Sequence, residues 1–161
     1  MSALIRYPDI VKTSLKIVSS NPPESVVAKI PGKLASILVK EHQLVYPGQP
    51  LAYLQSTANH EQALALLKQL QHLRSTVHTG SASLKLISPD LQLGEMQDIY
   101  QAFYMYYMVS RNSKHGEERI QLMKTMNQLI SELQVWKKQH IMYASVKGNV
   151  IFSGVVEKYQ P

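Results

Sequence analysis

Histidines are the residues of this 161-residue chain whose side chains could most readily do chemistry. None of the six has another histidine at the i, i+4 spacing that places two imidazoles on one helix face, and none joins a carboxylate cluster. They are His42, His60, His72, His78, His115 and His140. Nothing resembles a nucleophile elbow, a phosphate-binding glycine loop or a pair of catalytic carboxylates. We therefore predict a protein that is not an enzyme and has no metal site.

The densest group of side chains suited to binding is aromatic, and it comprises Tyr100, Phe103, Tyr104, Tyr106 and Tyr107. Tyr100, Phe103 and Tyr107 follow helical spacing, so we expect them to pack inside the protein. Tyr104 and Tyr106 lie elsewhere on the same helix, and tyrosine is enriched at protein interfaces. A polar segment follows this helix. The predicted interaction residues are Tyr104, Tyr106, Arg111 and Lys114.

Composition excludes several classes of protein. The net charge of +6 comes from 17 Lys and Arg against 11 Asp and Glu, but the basic residues are scattered, so we expect no nucleic-acid partner. The absence of cysteine excludes disulfides and thiol chemistry. No apolar run approaches the roughly 18–20 residues that span a bilayer, and the N-terminus lacks a signal-peptide pattern. We expect a soluble chain.

Two β-rich stretches, residues 26–55 and 143–156, stand far apart in the sequence. Each opens with a strand-like run, passes through a glycine-containing turn at 30–33 or 146–149, and continues as a second β-prone run. Residues 11–17 alternate like one further strand. We predict strands at 26–30, 36–39, 51–54, 141–146, 150–152 and from 154 onward.

The region between the β stretches is helical in pattern. We predict helices over about 56–79, 91–112 and 117–140, with Ser56 or Thr57 capping the first, because apolar residues recur there at alternating spacings of three and four. The three seams are Asn59, Ala63, Leu66, Leu70, Leu73 and Val77; then Leu93, Met96, Tyr100, Phe103 and Tyr107; then Leu122, Met126, Leu129, Leu133 and Trp136. Narrow seams of this kind are typical of coiled-coil-like hairpins.

Several short phrases, in this order and spacing, resemble one protein family. They are YPDIV at 7–11, IPGKL at 30–34, VKEHQLV at 39–45, PGQPLA at 47–52, LGEMQ at 93–97 and ASVKGNV at 144–150. Together they are similar to the HlyD-type periplasmic adaptors, also called membrane fusion proteins. Ser145 stands where that family usually has proline. The resemblance covers most of the chain, from about residue 7 onward.

The resemblance implies an α+β fold, in which an α-helical, coiled-coil-like hairpin splits a biotinyl/lipoyl-like β-sandwich. It divides the chain into an N-terminal strand segment that is a β-barrel remnant, a first lipoyl-like half, the helical insertion and a second lipoyl-like half. The corresponding ranges are 1–22, 23–56, 57–140 and 141–161. Cofactor carriers of this fold present a lysine on a β-turn, whereas Lys68 and Lys85 lie in the insertion, so we expect no covalent cofactor.

The resemblance further implies an adaptor, or a fragment of one, in a tripartite export or type I secretion system. Such a protein lies in the periplasm, associated with the inner membrane, and bridges an ABC-type exporter to an outer-membrane channel as a homo-oligomer. The family's membrane anchor and its later β-barrel have no counterpart in this sequence, which suggests a fragment. The alternative is a stand-alone helical protein-interaction module on a small β platform.

Overall fold

The computed structural model describes residues 14–18, 23–77, 88–112 and 116–153, and for 14–18, 77, 111 and 112 it gives the backbone alone. These residues form antiparallel strands and α-helices, so the α+β prediction is confirmed at that level. In chain order the elements are β1 (Ser14–Val18), β2 (Glu24–Val26), β3 (Leu34–Ile37), β4 (Leu44–Val45), β5 (Pro50–Leu54), α1 (His60–Val77), a 3-10 helix (Gly94–Met96), α2 (Gln97–Asn112), α3 (Gly116–His140), β6 (Ile141–Tyr143) and β7 (Gly148–Ser153).

The described residues belong to two compact units. One, the β unit, takes its residues from Met1–Gln55 and Gln139–Pro161. The other, the helical unit, takes its residues from Ser56–Lys138. The chain passes from the β unit to the helical unit between Gln55 and Ser56, and it returns to the β unit between Lys138 and Gln139, just before the end of α3. The helical unit is an insertion between two parts of the β unit.

Two small antiparallel sheets make up the β unit, with strand orders β2-β1-β7-β4 and β3-β5-β6. Each sheet joins a strand that precedes the insertion to one that follows it. In the first sheet, β7 pairs with β4 in a register that sets Leu44 opposite Asn149. In the second, β6 pairs with β5, and Ala52 lies opposite Met142. The two β-rich stretches, which the resemblance makes two halves of one β unit, are therefore paired with each other.

Turn residues add further hydrogen bonds across the same two stretches. The Gly48 N–H donates to the Ala144 carbonyl at 2.7 Å, and the Ala144 N–H donates to the Gln49 carbonyl at 2.9 Å. Gly48 has φ of 80°, a left-handed conformation that glycine adopts without a Cβ penalty. His42, with φ of 62°, adopts the same region at a cost, and its N–H donates to the Val150 carbonyl at 2.7 Å.

One hydrophobic core draws on both sheets of the β unit. Its buried residues are Val39, Val45, Leu51, Ala52, Leu54, Met142, Ala144 and Val150. Five of them precede the insertion and three follow it, so neither stretch could bury this surface alone. Burying a Leu or Val side chain of this kind stabilises a fold by about 1.5–3 kcal/mol.

Three predicted strands differ from the observed ones. The strand expected at 26–30 is β2, which lies earlier because it pairs with β1, with Glu24 opposite Ile17. The strand expected at 36–39 is β3, whose ladder runs from Leu34 to Ile37. The strand expected at 141–146 stops at Tyr143, because Ala144 hydrogen-bonds to a turn instead of a strand. The segment from 154 onward lies outside the described residues.

The seams of the helical unit are buried as predicted. The side chain of Val77 lies outside the description. The buried members are Ala63, Leu66, Leu70, Leu73, Leu93, Met96, Tyr100, Phe103, Tyr107, Leu122, Met126, Leu129, Leu133 and Trp136. Asn59 is exposed, because it has a different role. Its side-chain oxygen accepts the Gln62 N–H at 3.1 Å, which makes Asn59 the N-cap of α1. The prediction of Ser56 or Thr57 as the cap is therefore wrong.

The second helix begins later than residue 91. Gly94 has φ of 54°, so a regular α-helix cannot run through this position. A single 3-10 turn over Gly94–Met96 precedes α2. The Gln97 side-chain oxygen accepts a hydrogen bond from the Leu93 N–H at 3.0 Å, which satisfies a backbone donor just before the 3-10 turn. Residues 91–93 are thus a connection that leads into α2.

Candidate functional site

The two ends of the helical unit meet in a small cluster of side chains. Ser56 precedes α1, and its hydroxyl oxygen accepts hydrogen bonds from the indole Nε1 of Trp136 at 2.9 Å and from the Ala58 N–H at 3.1 Å. The imidazole of His60 lies against the same indole, with ring centroids 5.2 Å apart. Trp136 is 2% exposed. This cluster, which we call the junction cluster, joins the start of α1 to the end of α3.

The connection that enters α2 is fixed to the same end of the unit. Ala58 and Leu93 form an isolated antiparallel β-bridge, and the Asn59 N–H donates to the Gln92 carbonyl at 2.9 Å. The Gln92 N–H in turn donates to the side-chain oxygen of Gln62 at 2.7 Å. Three residues at the start of α1, namely Ala58, Asn59 and Gln62, therefore hold the segment that leads into α2.

Gly94 permits this close approach. A Cβ at position 94 would lie 2.6 Å from the Thr57 carbonyl carbon and 2.7 Å from the Ala58 nitrogen. Real Cβ atoms are not found so close to backbone atoms, so only glycine fits. The positive φ of Gly94 requires glycine for a second, independent reason.

These contacts establish the direction of each helix within the unit. The starts of α1 and α2 and the end of α3 share one end, which carries the junction cluster. Residues 113–115 link α2 to α3, so the C-terminus of α2 and the N-terminus of α3 lie together at the opposite end. A helix of 16 residues such as α2 is about 24 Å long. We call that opposite end the far end.

The aromatic residues expected to pack internally do so. Tyr100, Phe103 and Tyr107 are at most 1% exposed, and the Phe103 and Tyr107 rings stack with centroids 5.9 Å apart. The Tyr100 hydroxyl donates to the Ser88 carbonyl. Burial raises the pKa of Tyr100 to about 12, and the neighbouring Tyr104, Asp90 and Tyr107 act in the same direction.

The predicted interaction residues have different surroundings. Tyr104 and Tyr106 are both half-buried, and the Tyr104 ring lies 6.1 Å from that of Tyr100 and 6.2 Å from that of Tyr107. Arg111 belongs to the last turn of α2, but its side chain lies outside the description, and Lys114 lies outside the described residues altogether. Their contact with a partner remains a prediction.

A group of exposed apolar residues on α2 is absent from that prediction. Met105 is 55% exposed, Met108 38% and Val109 42%. Their i, i+3, i+4 spacing places them on one face, which we call the α2 apolar face. The helix is apolar on both sides, and this pattern could have pointed to a second contact surface.

The turns of the β unit carry a separate contact. The ammonium group of Lys147 lies 5.4 Å from the centre of the Tyr46 ring, which is within the range of a cation–π interaction. Tyr46 is 53% exposed. At such an exposed site the interaction contributes about 0.5–1 kcal/mol. Of the two lysines considered for cofactor attachment, Lys68 lies within α1, and Lys85 lies outside the described residues.

The described residues contain neither a cluster of metal ligands nor a membrane-spanning helix. Where the structure describes histidines and acids, no three of them come together as ligands of a metal ion would. Over the described ranges, none of the helices combines the length and the apolar character that crossing a membrane requires.

Comparisons with known proteins give one structural neighbour. No family model matches the chain, and no curated protein matches it either. Among solved structures, the chain is similar to a "Putative efflux transporter" from Bacteroides eggerthii DSM 20697, with a TM-score of 0.35 and 16% identity. The alignment covers 98% of this chain, which spans 44% of the length of that structure.

Proposed function

We propose that this chain is a periplasmic adaptor subunit of the HlyD type, or a fragment of one, comprising a biotinyl/lipoyl-like β unit and its helical insertion. It acts in a tripartite export or type I secretion system, associated with the inner membrane. Its partners are an inner-membrane ABC-type exporter, an outer-membrane channel and further copies of itself. The chain works as a structural element and catalyses no reaction.

The observation that carries the proposal is the pairing of strands across the insertion. β4 and β5 precede the helical unit, β7 and β6 follow it, and the two pairs are joined by backbone ladders. The residues that form these pairs lie in or beside the phrases PGQPLA and ASVKGNV, on which the family resemblance rests. Sequence phrases and strand pairing therefore support the same split β architecture.

The proposed mechanism is geometric. β units of neighbouring copies stack side by side, and the helical units make the contact with the channel. The far end, which holds the α2–α3 connection, is the part that contacts the channel. Binding energy is spread over many modest contacts between copies, and its total rises with the number of copies engaged at once.

Cross-linking in the producing cells tests this proposal. We expect an affinity-tagged chain, purified after treatment with a membrane-permeant cross-linker, to retain an ABC-type exporter. The exporter should be enriched over a tagged control protein sent to the same compartment. Recovery of the tagged chain with no exporter, under conditions that cross-link known envelope complexes, would contradict the adaptor role.

The alternative, a stand-alone helical interaction module, is favoured by the α2 apolar face. Single apolar residues on a surface are common, whereas three neighbours on one helix face suggest a binding site. For this alternative, Met105→Lys combined with Met108→Lys would abolish retention of a partner that is not a transporter. Retention of an exporter that survives these substitutions would instead favour the adaptor.

A further inference from the structure

An outer strand of the β unit leads into residues whose side chains alternate between the core and the surface. β2 is an outer strand of its sheet, next to β1 alone among the described strands. From β2 onward, Val26, Ala28 and Ile30 pack against the core, while the residues between them are exposed. Val27 is 65% exposed. β2 itself spans Glu24–Val26, and the chain bends at Lys29, whose side chain is exposed.

A groove lies between this edge and the edge of the second sheet. It has a volume of about 330 Å³ and is lined by Ser25, Val26, Val27 and Lys29 on one side and by residues that include Ile141 and Met142 on the other. β6, which contains Ile141 and Met142, is the outer strand of the three-stranded sheet. The groove therefore runs between two outer strands that belong to different sheets.

We propose that this groove binds an extended segment of a partner protein, which adds to the outer edge of β2 and places a carboxylate beside Lys29. An outer strand offers backbone N–H and C=O groups that a further strand can pair with, and such strand addition is a recurring mode of peptide recognition. The inference concerns the β unit alone and stands whether or not the chain is an export adaptor.

Charge and apolar character define the chemistry of the bound segment. Of the described residues that line the groove, Lys29 alone carries a formal charge. An acidic side chain opposite it is favoured, and a basic one is repelled. Apolar lining is contributed by Val26, Val27 and Met142, of which Val27 is 65% exposed, and a Val or Ile of the segment packs against it. The segment thus combines an acid with β-branched neighbours at alternating positions.

Binding of a blocked peptide to the ¹⁵N-labelled chain tests this proposal. The probe is acetyl-TVEVTVT-amide, and we expect chemical-shift changes at Ser25, Val27 and Met142. Lys29→Glu should weaken binding about five- to tenfold, roughly the effect of a single rim charge pair whose sign is reversed. The lysine peptide acetyl-TVKVTVT-amide should recover that loss on the Lys29→Glu variant.

Matched controls separate strand addition from general attraction of charge. Lys33→Glu alters an exposed lysine of the same unit that does not line the groove, and it should change the affinity less than about twofold. A peptide with proline in place of the central valine cannot pair along its full length and should not bind. Equal weakening by both lysine variants, binding of the proline peptide, or occupation of the groove by a second copy would overturn the proposal.

Discussion

The indole Nε1 of Trp136 donates a hydrogen bond to the hydroxyl of Ser56, which lies 80 residues earlier in the chain, at 2.9 Å. The bond joins the first residue of the helical unit to its last helical turn. Strands that precede a long insertion can pair with strands that follow it only if the two ends of the insertion lie close together. The hydrogen bond between Ser56 and Trp136 holds these two ends together from within the helical unit.

Replacing this hydroxyl should weaken the helical unit. In Ser56→Ala, Trp136 and the Ala58 N–H both lose their acceptor, so we expect a loss of about 1–2 kcal/mol in the free energy of unfolding. Trp136 is the one tryptophan of the chain, so its fluorescence monitors urea unfolding of this end directly. Ser131→Ala, at an exposed position of α3, is the matched control and should be neutral. Equal midpoints for the two variants would show that the bond contributes nothing.

Position 94 should tolerate no side chain. Gly94→Ala places a Cβ against the backbone of Thr57 and Ala58 and forces a positive φ on alanine. We expect destabilisation of about 2–4 kcal/mol, the sum of overpacking and backbone strain. At Gly116 an added Cβ meets nothing within 4 Å, so Gly116→Ala should be neutral or slightly stabilising. Thermal unfolding followed by circular dichroism compares the two, and similar melting temperatures would contradict the packing described.

Loss of the hydroxyl should change the free energy of unfolding in opposite directions at two buried tyrosines of α2. The Tyr100 hydroxyl donates to Ser88, whereas the Tyr107 hydroxyl is buried and has no hydrogen-bond partner in the part of the chain that the structure describes. Tyr100→Phe should therefore cost about 1 kcal/mol, and Tyr107→Phe should be neutral or stabilise by a similar amount. Chemical unfolding measures both. A larger loss for Tyr107→Phe would mean that its hydroxyl is hydrogen-bonded in solution.

Alkaline pH should destabilise the protein through Tyr100. Burial raises its folded-state pKa from 10.0 to about 12, so the unfolded chain loses the phenolic proton first. The stability from keeping Tyr100 protonated is thus complete below about pH 10 and is lost as pH rises towards 12. Burial also raises the pKa of Tyr143, which acts with the same sign.

Unfolding measured at several pH values in this window isolates the contribution of Tyr100. The free energy of unfolding should fall less steeply between pH 10 and 12 in Tyr100→Phe than in the parent protein, because the variant keeps only the other titrations. Parallel profiles for the two proteins would show that Tyr100 titrates normally.

Periodic patterns in the sequence correctly predicted the buried helix faces. Residues such as Leu66, Met126 and Leu133 recur at spacings of three and four, and the structure buries each of them. The pairing of the β stretches was also predictable, because both have turn glycines and neither could form a core alone. Element boundaries were less predictable, since they depend on contacts between residues distant in the chain.

Specific contacts decide where the predictions failed. Ser56 suits an N-cap by residue type, but its hydroxyl is engaged with Trp136, and Asn59 caps α1 instead. The approach of Gly94 to Thr57 delays the start of α2, and no local pattern reveals that neighbour. The apolar pattern on both sides of α2 indicated that one side would be exposed, but it could not show that Met105 lies on that side, because each side suits a core equally well.

Site-specific cross-linking tests the proposal that this chain bridges export components. The chain contains no cysteine, so Tyr106→Cys in the helical unit and Lys33→Cys in the β unit can each carry a photoactivated label uniquely. We expect that, in the producing cells, the helical label reaches an outer-membrane channel and the β label reaches a second copy of the chain. Labels at both positions that reach the same unrelated protein, or no envelope protein at all, would contradict it.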